Sequence, residues 1–184
     1  MLFVISYSIC KATKVHFVMK ILLTQYASYH LWANQQLIET IMKQPIEVQE
    51  LNVSSSFTSL KETLLHMWDA ESIWWQRIKL QETITRPSES FTGSCADITT
   101  KLMHQSRQWQ EWILHANEHM LEHEFIYYNT RKEKFKQATF QVLLHLFNHA
   151  TYHRGQLVNI LRQLEVGNIP ATDFIIWSRK KSII

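Results

Sequence analysis

The chain has 184 residues, a formal net charge of +3, 46% hydrophobic residues and 12% aromatic residues. This length is typical of one domain that buries a sizeable core, and the composition excludes a disordered chain. Only 3 Gly and 3 Pro are present, which leaves few turn signals and favours long helices over many short strands. We therefore predict an all-α fold.

The basic residues of the sequence do not predict a nucleic-acid partner. They form two short and separate clusters, 131–136 and 179–181, which a solvated loop and a polar tail explain. Cys10 and Cys95 lie far apart, without a CxxC motif. Neither a disulfide framework nor a cysteine metal cluster is therefore indicated. We expect a cytoplasmic protein.

Residues 1–18 differ from the sequence that follows them. Their apolar run is shorter than a membrane span, and it lacks the basic start and the small-residue cleavage site of a signal peptide. The first convincing amphipathic pattern begins at Met19 and Lys20. We therefore expect residues 1–18 to be a leader of doubtful status and residues 19–184 to form a single domain. We do not expect the protein to bind a membrane.

Apolar residues recur at helical spacing in the first half of the chain. One helix is predicted from about 20 to 43, where Pro45 stops it. His30 lies on its apolar face, and a packed, hydrogen-bonded histidine is favoured there over a metal ligand. A second helix is predicted from about 59 to 81, because Ser59 begins a sequence that fits a capping box.

The second half of the chain predicts two more helices with a connector between them. The third helix opens at Ser94 or Asp97. Residues 125–137 contain two β-prone pieces around a polar centre, which indicates a short hairpin or an extended connector. Thr139 is predicted to cap the last helix, which ends near Glu165, with Gly167 placed to terminate it.

The last predicted helix carries a row of histidines. His145, His149 and His153 are four residues apart, so they lie on one side of a helix, where neighbours can share one metal ion. The glutamate that zinc-protease helices carry beside the first histidine is absent, which argues against a zinc protease. A single such histidine would be read as a hydrogen-bonded core residue. Three in register favour a cation, because burying several imidazoles without partners costs free energy.

Two other groups of residues bear on a metal site. His66 lies on the inward face of the second helix and could supply a third ligand. Asp69, one turn later, could accept a hydrogen bond from a ligand imidazole, although a solvated carboxylate is favoured. His115, His119 and His123 repeat the four-residue spacing, but their polar and acidic neighbours indicate a solvated helix end. Spacing alone does not choose between the two rows.

The motif residues also resemble a known family. The segments 144–149 and 153–157, with Leu64-Leu65-His66 upstream and Pro170 and Asp173 downstream, resemble the DinB-like proteins, which are related to the YfiT-type metalloenzymes. The resemblance covers residues 19–179, and its N-H-x-x-x-H-R-G-Q core is fairly specific. It implies an up-down-down-up four-helix bundle that is often a homodimer.

The same resemblance implies one divalent metal ion held by three histidines. Carried over by motif, the ligands are His66, His149 and His153, whereas His145 flanks the site. Three neutral imidazoles leave a coordination position open, which is typical of a catalytic site. Such a site suits Zn, Ni or Fe, and the sequence does not choose among them.

The wider superfamily is similar to transferases that use low-molecular-weight thiols. This resemblance implies a metal-dependent enzyme that activates such a thiol for S-transfer to a small-molecule substrate. No general base stands beside the ligands, so two alternatives remain open: a non-catalytic, stress-related metal or small-ligand binding protein, and a metal-dependent hydrolase. Arg154 could contact a substrate carboxylate, although a structural salt bridge is favoured.

Overall fold

The structure is a computed structural model that describes the backbone of residues 2–129 and 131–181 and the side chains of residues 18–129 and 131–179. The chain is mostly helical, as predicted, and contains one small sheet. In chain order its elements are α1 (Leu2–Met42), α2 (Ile46–Glu50), α3 (Leu60–Ile78), a short 3-10 helix (Pro87–Glu89), α4 (Cys95–His115), α5 (Glu118–Glu122), β1 (Glu124–Tyr128), β2 (Lys134–Ala138), α6 (Thr139–Gln163) and α7 (Phe174–Lys181).

The four long helices pack against one another. Both α1 and α3 contact both α4 and α6. Side-chain contacts at two levels along each pair of helices give their relative directions. Helices α1 and α4 are antiparallel, as are α3 and α6. Helix α1 runs parallel to α6, and α3 runs parallel to α4. The apolar stripes of these helices meet in two adjoining core clusters, one around Leu64 and Leu102 and the other around Trp109 and Leu143. Burying each such side chain stabilises the fold by roughly 1.5–3 kcal/mol.

The loop between the parallel helices α3 and α4 runs back along α3. Gln76 holds its first part, because the Gln76 side-chain oxygen accepts from the Thr85 N–H at 2.8 Å. Asp69 holds its second part, because its Oδ1 accepts from the Ser88 N–H at 2.9 Å. Asp69 is only 6% exposed. It is therefore an anchor for this loop, and both expectations for it, a solvated carboxylate and a partner of a ligand imidazole, are wrong.

The predicted caps of α3 and α4 are present in different forms. The Ser59 hydroxyl oxygen accepts from the Glu62 N–H at 3.1 Å, but the Glu62 carboxylate turns to Thr58 and does not close the box on Ser59. At α4 the box is complete, because Ser94 and Asp97 each accept from the other's backbone N–H. Each cap satisfies N–H groups that the first helical turn leaves without partners.

The last long helix ends close to Glu165, as predicted, but its N-cap residue is Ala138, so the prediction that Thr139 caps it is wrong. It ends at Gln163, and Glu165 takes the left-handed backbone conformation with φ of 57°. The Val166 N–H then donates to the carbonyl oxygen of Leu161 at 2.9 Å, which satisfies a carbonyl of the last turn. Glu165, and not Gly167, therefore makes the reversal.

The connector before α6 is a hairpin. The strands β1 and β2 pair antiparallel, with Glu124 opposite Ala138 and Tyr128 opposite Lys134. The predicted short hairpin is thus confirmed, and the class is corrected from all-α to mostly helical with a two-stranded sheet. Among the described residues, no helix combines the length and the apolar character that a membrane crossing requires.

Candidate metal centre

Three histidines from two antiparallel helices converge at one point. His149 and His153 lie one turn apart on α6, and His66 reaches them from α3. The Nε2 atom of His149 is 3.0 Å from Nε2 of His153 and 3.3 Å from Nε2 of His66. His153 is 4% exposed, whereas His66 and His149 are half-buried. In the described part of the chain, this is the one group of three or more His, Cys, Asp or Glu donors close enough to hold a metal ion.

Hydrogen bonding among the three imidazoles alone does not satisfy this cluster. The side-chain oxygen of Gln156 lies 2.7 Å from Nδ1 of His153, so a neutral His153 places its proton on Nδ1 and directs a lone pair from Nε2 toward His149. Nε2 of a neutral His149 carries either one proton or one lone pair, yet it faces both other Nε2 atoms. One N–H points fully at only one acceptor, so neutral imidazoles make at most one linear hydrogen bond across the two contacts.

A cation at the common point removes this conflict, because it accepts all three lone pairs. Nitrogens bound at ~2.0–2.1 Å in a tetrahedral zinc site are about 3.3 Å apart, close to the two shortest separations here. The imidazoles are also in the right protonation state. Burial, followed by neighbouring histidines, lowers the pKa of His66 and of His149 to about 4, so both are neutral at pH 7, as metal ligands must be. The residues present therefore fit a divalent metal ion.

Two loop residues complete the surroundings of the cluster. The ring of Phe57 stacks on His66 with centroids 4.4 Å apart, and it meets His153 edge-on at 5.5 Å. Arg86, in the loop after α3, is close enough to His66 for its charge to add to the lowering of the His66 pKa. Sequence reasoning missed both residues, because they lie outside the periodic helices and nothing in their local sequence marks them.

The remaining member of the row on α6 lies beside the cluster. His145 is exposed, and its ring centroid is 5.7 Å from that of His149 and 5.4 Å from that of Trp74. Partial burial of its ring lowers the pKa of His145, and the positive charge of Arg77 lowers this pKa further. His145 is not one of the three converging residues, in agreement with the flanking position that the resemblance implied.

The rival row of histidines is broken by the backbone. Helix α4 ends at His115, Ala116 is extended, and the separate helix α5 carries His119. His115 is exposed, and its Nδ1 lies 2.8 Å from the carbonyl oxygen of Glu111. The four-residue spacing of His115, His119 and His123 therefore does not correspond to one face of a single helix.

A buried polar network lies beside the metal centre. His30 is 1% exposed, and its Nε2 lies 2.9 Å from the carboxylate of Glu71, so the prediction of a packed, hydrogen-bonded His30 is confirmed. The Ser106 hydroxyl donates to the same carboxylate at 2.9 Å. Asn34 joins this group to α6, because its side-chain oxygen accepts from Nη1 of Arg154 at 3.0 Å.

Arg154 belongs to this network and not to a solvent-facing site. It is 2% exposed, and its second terminal nitrogen donates to the Thr151 hydroxyl at 2.7 Å. Burial lowers the pKa of Arg154, and Tyr29 and then Glu71 oppose this lowering. The structural role favoured from the sequence is thus present, but hydrogen bonds to an amide and a hydroxyl replace the direct salt bridge within the described residues.

These features define a mostly helical protein with three histidines, from two helices, that are compatible with metal binding. The sequence model of the DinB family matches residues 15–178, and the chain therefore belongs to the DinB family. Protein DinB of Bacillus subtilis (strain 168) is similar to it, with 25% identity over 164 residues that cover 79% of this chain and 87% of that protein.

Proposed function

We propose that His66, His149 and His153 hold one divalent metal ion, Zn, Ni or Fe. The observation that carries this proposal is the convergence of three Nε2 atoms whose contacts neutral imidazoles do not satisfy among themselves. Gln156 supports it, since its hydrogen bond orients the His153 ring and leaves Nε2 unprotonated. An imidazole-rich site suits Zn, Ni and Fe alike, so the ligands do not select one of these ions.

We further propose that the chain is an enzyme that transfers the sulfur of a low-molecular-weight thiol to a small electrophile. A divalent cation favours a thiolate over a thiol, so it supplies the nucleophile at neutral pH. Arg86 adds positive charge beside His66 and favours an anionic sulfur there. Cys95 is not an alternative nucleophile, because it is 3% exposed in a separate part of the core and burial raises the pKa of its thiol to about 11.

The reaction balances without an oxidant or a reductant. The S–H bond breaks and its proton passes to solvent, and the sulfur forms a bond to an electrophilic carbon. The leaving group departs from that carbon with the bonding electron pair and takes a proton from solvent. The chain's own contribution is to position the three imidazoles, to orient His153 through Gln156 and to place the Phe57 ring over His66 and His153.

One observation favours a second candidate, a binding protein that holds a metal or small ligand without turnover. The Phe57 ring covers His66 and His153, and a side chain in that place restricts the approach of a substrate. A hydrolase is a third reading of the same ligands. It requires a water as nucleophile, and no described contact places a carboxylate beside the three imidazoles to act as its base.

Thiol consumption decides among these functions. Metal-loaded and metal-stripped protein are incubated with pairs of cellular thiols and alkylating electrophiles, with ester and amide substrates in parallel. We expect faster loss of thiol only with the metal-loaded protein, and no acceleration by the His149→Ala variant. If metal loading accelerates no thiol pair and no hydrolysis, the binding protein replaces the enzyme. If metal loading accelerates only hydrolysis, the hydrolase replaces the transferase.

We also propose that α1, α3, α4 and α6 form the up-down-down-up bundle of the family, which their pairwise contacts and relative directions support. The leader at residues 1–18 stays a prediction, because the side chains of residues 1–17 lie outside the described part of the structure. The single domain over 19–184, the homodimer and the cytoplasmic location also stay predictions. Mass spectrometry of the native protein and sedimentation in solution would test the leader and the homodimer.

A further inference from the structure

Arg77 is a half-buried cation that packs against two neighbouring aromatic rings near the end of α3. Its guanidinium carbon is 4.5 Å from the ring centroid of Trp74 and 5.0 Å from that of Tyr127. Nη2 donates a 3.0 Å hydrogen bond to the backbone oxygen of Tyr128. No ion pair to this guanidinium is found among the described residues. Arg77 thus uses few of its five N–H donors, although burial lowers its pKa and makes an unpaired charge costly.

A cavity of about 390 Å³ lies beside Arg77, between the end of α3, the loop after it and the hairpin. Its wall contains apolar and aromatic side chains that are unusually exposed: Leu80 is 65% exposed, Tyr128 58% and Ile126 50%. Exposed apolar side chains that surround a single cation are typical of a small-ligand site. The wall therefore fits a ligand with an apolar body and one negative end.

The turn at the end of α3 carries Leu80 to the wall of this cavity. Leu80 takes the left-handed backbone conformation with φ of 53°. The Gln81 N–H donates to the carbonyl oxygen of Gln76 at 3.0 Å, so this conformation satisfies a carbonyl of the last helical turn, as it does at Glu165. The Leu80 side chain that the turn leaves exposed lines the cavity.

We propose that this cavity binds a small organic carboxylate, with its charged end on Arg77 and its apolar body against Leu80 and Tyr128. A planar guanidinium offers paired donors that match the two oxygens of a carboxylate. Glu82 also lines the cavity, and its negative charge opposes the ligand without pairing with Arg77. The site does not use His66, His149 or His153, so the ligand binds whether or not a metal is present.

Fluorine NMR with two matched probes tests the site. The full chain is treated with a chelator and titrated with 4-fluorobenzoate and with 4-fluorobenzamide, which has the same shape and no charge. We expect the benzoate to bind about tenfold more tightly than the amide, because one charge-assisted pair is lost. The Arg77→Gln variant should lose about tenfold in benzoate affinity. Arg107→Gln, at an exposed position on α4, should leave it unchanged.

Two further variants separate binding from a loosened hairpin. Glu82→Gln removes the opposing charge and should tighten benzoate binding by about two- to fivefold, which no loss of folding produces. Leu80→Gly should weaken binding while it raises the melting temperature, because it relieves the backbone strain. Equal affinity for the two probes, or unchanged benzoate affinity in Arg77→Gln, would overturn the proposal. So would benzoate binding that requires added zinc and persists in Arg77→Gln, because that result places the carboxylate at the histidines.

Discussion

The hydrogen bond between Gln156 and His153 should make the proposed metal centre sensitive to a residue that is not one of the proposed ligands. The side-chain oxygen of Gln156 lies 2.7 Å from Nδ1 of His153, and it keeps the proton of a neutral His153 away from Nε2. Gln156→Met has a similar length and removes the acceptor. The proton can then occupy Nε2, which must lose it before a metal binds. Loss of such an orienting partner typically weakens metal binding 10- to 100-fold, which is about 1.4–2.7 kcal/mol.

Competition with a chromogenic chelator measures this loss for zinc. Gln156→Glu is the matched control, because its carboxylate still accepts from Nδ1, and we expect it to bind zinc at least as tightly as the parent chain. The metal-free form of Gln156→Met should lose only about 0.5–1.5 kcal/mol of unfolding free energy, the value of one hydrogen bond. Parental zinc affinity in Gln156→Met would refute the role of Gln156 in setting the proton position.

Three more predictions concern the ligands, the buried network and pH. His149→Ala should abolish the one-per-chain metal seen by elemental analysis, whereas His119→Ala should retain it; full metal in His149→Ala contradicts the assignment. Glu71→Ala should cost about 3–5 kcal/mol in urea unfolding, because it leaves the buried donors of His30 and Ser106 without their acceptor. A loss below about 1 kcal/mol would show that the network adds little. Metal-free protein should lose stability as pH falls from about 6.5 to about 4. Unfolded histidines take up protons in that pH range, whereas His66 and His149 in the folded protein stay neutral because their pKa is lowered to about 4. A melting temperature that does not change over this range contradicts the neutral cluster.

The four long helices could be predicted, from residue 20 onward, because their causes are local. The start of α1 at Leu2 and the short helices α2, α5 and α7 were not predicted. Ser59 and Ser94 mark their helix starts through hydrogen bonds to residues three positions away, and periodicity identified the buried stripes. Where two local signals competed, the prediction was less accurate. Gly167 was expected to end α6, yet Glu165 takes the left-handed conformation, since satisfying the last carbonyls of the helix outweighs the conformational cost at Glu165.

The candidate site was only partly predictable. The spacing of His149 and His153 follows from one helical turn, but the same spacing in His115, His119 and His123 had no structural meaning, because the helix ends at His115. Polar and acidic neighbours set the second row apart from the first, and the inward face of the second helix pointed to His66. Family resemblance then selected His149 and His153 over His145. No local pattern could indicate Phe57, which comes from a loop and reaches the site only after α3 and α6 have packed.

The sequence by itself determined where helices form, which faces of them are apolar and which pairs of histidines share a face, since each of these depends on residues a few positions apart. The tertiary structure decided which histidine from another helix completes the group and where the charge of Arg154 is balanced. It also placed Arg77 beside a cavity with no ion pair to any described residue. These features join residues such as His66 and His149, which are 83 positions apart. Their approach is set by how whole helices pack, and helix packing depends on the combined shape of many side chains that no local spacing records.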